Sequence, residues 1–274
     1  MTSPSVSREA YGAASDRLVA ETASITAPQL VTVADEILSV AGLLRSDLRL
    51  RRALTDPSRP GSDRAGLIES LLAGKVSKAA VDAVSTLVAG RFARPGQLLD
   101  ATEHLGVDAL LASAERDGKL ADVEDELFRF GQIVAGDNAL TSALSDANAS
   151  LGGRVKLVED LLKGKAHVVT VRLVEVALTG FGGRGFEASL TRLVEATAAK
   201  RDREVAYVTV AKPLTDAEEQ ALAAKLSGVY GRGVSLKVDV VPGVLGGVSV
   251  RVGSDLYDGT VLRKLNAAKQ AFAK

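Results

Sequence analysis

The chain contains no cysteine and no tryptophan, and it has one methionine and two histidines. Without cysteine there can be no disulfide, no thiolate nucleophile and no cysteine zinc site. Aromatic residues make up only 4% of the chain. The core must therefore be built from alanine, leucine and valine, which suits close helix packing, and few aromatic rings remain to stack nucleic acid bases.

The chain also lacks an excess of either charge, with 34 basic and 34 acidic residues. This balance argues against a protein that binds nucleic acid by neutralising phosphates. No uninterrupted apolar run reaches about 18 residues, so we expect no membrane span. The first ten residues, Met1 to Ala10, lack the apolar core of a signal peptide, which predicts that the chain is not exported. Its 274 residues are enough for two or three domains.

What the chain does have is an internal repeat. The amphipathic pattern of residues 34–116 returns 90 residues later without a gap over most of its length. Ala53-Leu54-Thr55-Asp56 matches Ala143-Leu144-Ser145-Asp146, and Arg64 matches Arg154. An ungapped register of this length indicates an internal duplication. We therefore expect two copies of one helical unit, with matched residues in like environments.

Each copy is predicted to form four helices separated by turn residues. These are 33–54, 63–73, 77–90 and 97–116 in copy one (33–117), and 123–144, 153–163, 167–180 and 186–202 in copy two (123–203). A separate helix, Ser7–Thr22, precedes both copies, with Tyr11, Ala14 and Leu18 on one face. Because a short connection favours adjacent packing, we expect it to pack on copy one.

The C-terminal part changes to strand patterns. Glu204–Ala211 reads as a strand that ends before Pro213, and Thr215 and Glu218 have the spacing of a helix capping box. Two further alternating segments, 234–240 and 248–252, predict two more strands. Asp258-Gly259-Thr260 opens a terminal helix. The predicted fold class is α+β, with duplicated four-helix units followed by a small domain of about three strands and two helices.

The residues around the last predicted turn and strand resemble the C-terminal signature of the delta subunit (mitochondrial name OSCP) of F-type ATP synthases. The matching residues are Pro242, Leu245, Gly246, Gly247, Arg251, Gly253, Asp258, Gly259, Thr260, Val261, Arg263 and Leu265. Ser254-Asp255 stands where the family usually has aspartate directly after the glycine, and Gly243 stands where it often has serine. The segment Ala211–Glu218 also resembles the Ala-x-Pro-Leu pattern of the family.

The resemblance covers the first helix, either copy and everything after about residue 203. Removing one copy would leave 184 residues, which is close to the usual family length. We expect three domains: 1–117, 118–203 and 204–274. A chain rich in alanine, glycine, valine and arginine would fit the enlarged delta subunit of an actinobacterium.

The resemblance implies a non-catalytic subunit that joins the catalytic head of the synthase to its membrane-anchored peripheral stalk. Implied partners are the N-terminal helices of the alpha subunit, held in a groove between helices, and the stalk b subunit, held by the C-terminal domain. It implies one copy per complex at the cytoplasmic face of the bacterial plasma membrane, without a cofactor, metal or nucleic acid. We expect residues 1–117 to bind the head and copy two to act as a spacer.

The implied structural or interface residues fall into two groups, one in the first helix and one in the family signature. They are Tyr11, Ala14 and Leu18 in the head-binding bundle, and Pro213, Pro242, Leu245, Gly246, Gly247, Arg251, Gly253, Asp258, Gly259 and Arg263 in the C-terminal domain.

Two other classes of protein compete with this interpretation. One is a free-standing helical-repeat adaptor. The other is a nucleotide-dependent enzyme using residues 168–204, because Gly180–Gly185 spells Gly-x-Gly-x-x-Gly after a possible strand at Val168–Val171. The repeat counterpart, Gly90–Pro95, lacks these glycines, which favours a linker at this position.

The remaining candidate motifs have structural explanations. Gly74-Lys75 and Gly164-Lys165 lack the rest of a phosphate loop and read as helix ends. His104 and His167 do not correspond in the repeat, and we expect both to be partly exposed helix residues rather than metal ligands.

Overall fold

The structure is mainly helical, with one small sheet near the C-terminus. The computed structural model describes residues 5–146, 148–201, 203–231, 233–242, 247–253 and 255–258. The helices are α1 (Ser5–Thr22), α2 (Ala27–Ser46), α3 (Leu48–Leu54), α4 (Gly61–Leu72), α5 (Lys78–Ala89), α6 (Pro95–Arg116), α7 (Leu120–Gly136), α8 (Asn138–Ser145), α9 (Leu151–Leu162), α10 (Val168–Leu178), α11 (Phe186–Lys200) and α12 (Asp216–Tyr230). The strands are β1 (Arg203–Val210), β2 (Gly233–Val240), β3 (Val248–Val252) and β4 (Asp255–Asp258).

The chain divides into two compact units, residues 1–190 and 191–274, and the boundary falls within α11. The first unit is helical, and the second contains the sheet and α12. This confirms the α+β class. The division of the helical part into domains at residue 117 stays a prediction.

The helix boundaries repeat at the spacing found in the sequence. Helices α3, α4 and α5 begin at residues 48, 61 and 78, and α8, α9 and α10 begin 90 residues later, at 138, 151 and 168. The two copies also bury equivalent side chains. Leu54 and Leu144 are both fully buried, and Leu71 and Leu161 are both half-buried. These matched environments are the ones that a duplication predicts.

An aspartate breaks the first predicted helix of each copy, so the predicted single helices 33–54 and 123–144 are wrong. Asp47 and Asp137 have extended backbones and separate α2 from α3 and α7 from α8. Each carboxylate accepts hydrogen bonds of 2.8–3.0 Å from the backbone N–H groups two and three residues further on. Satisfying these free N–H groups starts a new helix.

A second kind of helix cap also recurs in the two copies, and it joins helices that are distant in the sequence. Glu36 of α2 accepts a 3.0 Å hydrogen bond from the backbone N–H of Ser77, at the start of α5. Glu126 of α7 accepts a 2.9 Å bond from the N–H of His167, at the start of α10. A carboxylate at a helix N-terminus stabilises the helix dipole, so each glutamate also fixes the position of the helix it caps.

Helix α6 serves both copies. Helix α1 packs on α5 and α6, which confirms copy one as its host, and Ala10 lies so close to Gly90 that a Cβ atom there would be 2.2 Å from the Ala10 Cβ. When 90 is added to the residue numbers of α1, they coincide with those of the N-terminal part of α6. In copy two, α6 packs on α10 and on the 3-10 turn Phe181–Gly183. Helix α6 is therefore the last helix of copy one, and it packs on copy two as α1 packs on copy one.

Helix α2 is the central helix of copy one. By length and composition alone it is apolar enough to cross a membrane, but half of its most apolar window is buried inside the protein. It packs most extensively on α6, and Gly106 lets the two helices approach because a Cβ there would lie 2.7 Å from the Leu38 side chain. These contacts are those of a core helix in a bundle.

The second unit is a four-stranded sheet in the order β2-β1-β3-β4, with β1 and β2 parallel and the other pairs antiparallel. Helix α12 connects β1 to β2, and the predicted capping box is present, with Thr215 and Glu218 bonded reciprocally. The sheet has one strand more than the approximately three predicted, because Asp255–Asp258 pairs with β3 as a fourth strand. The predicted terminal helix lies outside the described residues.

Candidate interaction surfaces

The three residues predicted on the first helix all face its own bundle. Ala14 and Leu18 are buried, and the Tyr11 hydroxyl donates a hydrogen bond to Asp108 of α6. Burial, followed by the nearby Asp108 carboxylate, raises the pKa of Tyr11. These side chains hold α1 on copy one. The outer face of α1 carries other residues, among them Val19, which is 64% exposed.

Ion pairs hold the other end of α1 on α5. Arg17 of α1 and Lys78 of α5 both lie 2.5 Å from the Asp82 carboxylate. Glu21 lies 2.9 Å from Arg17. The hydrogen bond from Lys78, helped by Arg17, lowers the pKa of Asp82. Because these groups are solvated, they set the position of α1 more than they add stability.

A buried carboxylate connects the two copies. Glu103 of α6 is 2% exposed, binds Arg45 of α2, and accepts a 2.9 Å hydrogen bond from the backbone N–H of Gly182 in copy two. Arg45 also donates to the hydroxyl of Thr179, at 3.1 Å. Burial raises the pKa of Glu103, and the Gly182 N–H and Arg45 oppose this rise. The adjacent Phe181 ring is fully buried.

An ion-pair cluster also joins the copies. Arg172 of α10 lies 3.3 Å from Asp35 of α2 and 3.0 Å from Glu175. Burial raises the pKa of both carboxyl groups, and Arg172 opposes the rise. The contact between copies is therefore built from partly buried charges of both signs.

The glycine-rich motif lacks the context that a dinucleotide site needs. The preceding segment Val168–Val171 is the start of helix α10, not a strand. Gly180, Gly182 and Gly183 have φ values of +81°, +61° and +72° and form a turn between α10 and α11. The motif is therefore a linker, as its repeat counterpart indicates.

The other motifs also have structural roles. Gly74 and Gly164, both at φ +69°, follow α4 and α9 and end those helices as expected. His104 is a half-buried residue of α6, but His167 is the N-cap of α10 instead of an interior helix residue, since its Nδ1 accepts from the N–H of Val169. Within the described residues, no group of three or more His, Asp or Glu side chains is placed to hold a metal ion.

Part of the predicted C-terminal signature surrounds strand β3. Gly247, at φ +86°, precedes the strand, and Gly253, at φ +55°, follows it. Between them, Arg251 is exposed and its guanidinium lies 4.6 Å from the centroid of the Tyr207 ring on β1, a cation–π distance. Asp258 ends β4.

The other signature residues do not flank strand β3. Pro213 and Pro242 are exposed after β1 and β2 respectively, where proline does not disturb the ladder of hydrogen bonds. Leu245, Gly246, Gly259 and Arg263 lie outside the described residues.

We expect Gly247→Val to destabilise the C-terminal unit by about 1–3 kcal/mol, because valine is strained at positive φ. The measurement is the thermal unfolding of the full chain, with Gly228→Ala as control. Gly228 lies in α12, and nothing lies within 4 Å of the position that a Cβ would take, so alanine there should not destabilise. An unchanged melting temperature combined with lost stalk binding would instead assign Gly247 to an interface.

Comparisons with known proteins identify the family. A model of the family described as "ATP synthase delta (OSCP) subunit" matches residues 107–272. An "ATP synthase subunit delta" from Salinispora arenicola (strain CNS-205) is 60% identical over 268 residues, covering 98% of each chain. A relative of the same name from Streptomyces griseus subsp. griseus is 45% identical, covering 98% of this chain and 99% of the relative.

The chain is also similar to a chain in the cryo-EM structure of the Toxoplasma gondii mitochondrial ATP synthase hexamer. The TM-score is 0.38 at 19% identity, covering 61% of this chain and 95% of that one. This likeness is too weak to support an inference. The sequence matches suffice: the chain belongs to the ATP synthase delta (OSCP) subunit family and is a non-catalytic peripheral-stalk subunit of the F-type ATP synthase.

Proposed function

We propose that this subunit holds the catalytic head to the stalk through two separate surfaces. The helical unit binds an N-terminal helix of an alpha subunit, and the C-terminal unit binds the end of the b subunit. One copy per complex acts at the cytoplasmic face of the plasma membrane. The joint must resist the torque of the rotor, and the buried contacts of Glu103 between the two helical copies suit a part that must not yield.

The observation that carries the head-binding assignment is the position of α1. It completes the copy-one bundle with its buried face and leaves Val19, 64% exposed, on its outer face. Gly12 of the same helix has nothing within 4 Å of the position where a Cβ would lie. Gly12 and Val19 are seven residues apart and so lie on one face of α1, which offers a partner helix a small residue and an apolar residue to pack against.

A second candidate is copy two. The family model begins at residue 107, within α6, and covers copy two but only the last residues of copy one. Copy two also exposes an apolar side chain, Ile133 of α7, which is 61% exposed. On this alternative, copy two binds the head and copy one is the addition.

The variants Val19→Glu and Ile133→Glu separate these candidates, because the two side chains are nearly equally exposed and neither belongs to a core. Each full-length variant would be titrated against catalytic head stripped of this subunit. We expect Val19→Glu to weaken binding about tenfold or more, since a carboxylate would be desolvated in an apolar contact. Ile133→Glu should bind as the wild type does. The reverse pattern would assign the head to copy two.

The stalk assignment concerns the C-terminal unit. Arg251 lies exposed beside the Tyr207 ring, and Leu256 of the edge strand β4 is 61% exposed. An exposed arginine, an aromatic ring and an apolar edge residue are typical of a protein interface. These exposed residues support the C-terminal unit as the partner of the b subunit.

A further inference from the structure

Helix α3 carries three arginines that its repeat counterpart α8 does not have. They are Arg49, Arg51 and Arg52, and the matching residues of α8 are Ala139, Thr141 and Ser142. The two helices begin with the same aspartate cap and bury the same leucine. Since α8 forms without these charges, the arginines of α3 are not needed for the helix itself.

The loop between α5 and α6 adds two more arginines, Arg91 and Arg94, both exposed. We call Arg49, Arg51, Arg52, Arg91 and Arg94 the arginine surface. Over the residues that the structure describes, none of the five forms an ion pair with a carboxylate within 4.0 Å. The buried Nε of Arg51 also has no hydrogen-bond partner there.

Part of the arginine surface converges on one acidic residue. Partial desolvation raises the pKa of Asp100, and the charges of Arg184, Arg94 and Arg51 oppose the rise. These guanidinium groups come from the loop before α11, the N-cap of α6 and helix α3. Because the paired Glu103 and Arg45 also lie near Asp100, the region holds four positive and two negative charges, an excess that an incoming anion could neutralise.

Arg91 of the arginine surface also lines a cavity of about 240 Å³. Its apolar wall is formed by Pro57, Phe92 and Ala93, and Arg64 and Arg91 contribute polar edges. In copy two, the residue equivalent to Arg91 is Phe181, which is fully buried. A cavity edged by an exposed arginine at this position is therefore a feature of copy one.

We infer that the arginine surface binds an acidic segment of the catalytic head, with an apolar side chain of that segment in the adjacent cavity. Arginine is suited to this ligand because its planar guanidinium binds carboxylates through two hydrogen bonds. A polypeptide offers acidic and apolar side chains within a few residues of each other, which a lipid headgroup does not. The inference rests on the proposed docking of the head on copy one, and the surface is part of the same bundle.

The test exchanges exposed residues between the repeats in the full chain. One variant, Arg49→Ala with Arg52→Ser, gives copy one the residues of copy two, and Leu54 and the Asp47 cap stay intact. We expect head binding to weaken about three- to tenfold at low salt, with a shallower dependence on salt. The matched control, Ala139→Arg with Ser142→Arg, places the arginines on the equivalent exposed positions of α8 and should not change binding.

The outcomes separate this inference from the proposed function. Equal head binding by the wild type and the copy-one variant would overturn the inference and leave the proposed function intact. Failure of the wild-type chain to bind the head would overturn both. Loss of binding to phosphatidylglycerol vesicles with unchanged head binding would show that the surface serves a membrane, which also overturns the inference.

Discussion

The Arg64→Ala variant is expected to unfold with a free energy about 3–5 kcal/mol below that of the wild type. Arg64 is 4% exposed, and its guanidinium donates five hydrogen bonds to main-chain carbonyl oxygens. Three of these carbonyls, on Val88, Ala89 and Gly90, end α5. Alanine would remove the Arg64 donors from all five carbonyls, of which the Asp56 oxygen also accepts a 3.3 Å bond from the N–H of Arg59. The measurement is denaturant unfolding followed by circular dichroism.

Arg154 is the matched control, since it occupies the same repeat position. It is half-buried and, among the described residues, donates two bonds, 3.2 Å to Leu144 and 3.3 Å to Leu178. Arg154→Ala should therefore cost less, about 1–2 kcal/mol. Hydrogen exchange should show faster opening of α4 and α5 in Arg64→Ala only. Equal losses in the two variants would mean that the number of carbonyl bonds does not determine the effect.

The second large effect concerns Glu103. Glu103→Ala is expected to lower the free energy of unfolding by about 2–3 kcal/mol, because it removes the buried carboxylate that accepts from Arg45 and from the half-buried N–H of Gly182. Glu103→Gln should cost much less, since the amide oxygen can still accept from Gly182. Thermal and denaturant unfolding of the full chain would give both values.

The same pair of variants tests the raised pKa of Glu103. A carboxyl group whose pKa is higher in the folded chain contributes stability at low pH and loses it as the pH rises through the folded value. As the pH falls from about 7 to about 4.3, the pKa of an unfolded glutamate, the wild type should therefore gain stability relative to Glu103→Gln. If the difference stays constant over this interval, the carboxyl group does not titrate differently in the folded chain.

Local chemistry made much of this fold predictable. The 90-residue spacing predicted the helix starts of copy two from those of copy one, and Thr215 with Glu218 predicted the start of α12. The signature around Gly247 and Gly253 indicated the family from the sequence alone. These features depend on residues that lie within a few positions of each other or recur in register.

The errors arose where a cap or a distant contact decided the outcome. Helix α2 begins at Ala27, earlier than predicted, because Thr26 caps it and Pro28 is tolerated in its first turn. Asp47, which separates α2 from α3, is a possible cap in the sequence. The apolar pattern continues across it, however, and predicted a single helix. The capping of α5 by Glu36 joins residues 41 positions apart, and no local pattern predicts it.

The interaction residues were harder to predict from the sequence than the fold was. Tyr11 and Leu18 proved to face their own bundle, because an apolar stripe on a helix does not reveal whether its partner belongs to the same chain. The arginines of α3 are present in the sequence, but they became informative only when α3 was compared with α8. Their lack of counterparts in the second copy is the signal that could have found them.

The use of α6 by both copies has a mechanical consequence. Its 22 residues form an uninterrupted rod of about 33 Å. A flexible loop between two bundles would act as a hinge, whereas bending here requires strain in the hydrogen bonds of a helix that is packed on both sides. A third copy added in the same way would bring only five new helices, because α11 would serve as its first. The fold can thus be lengthened in steps of 90 residues without adding a point of flexure.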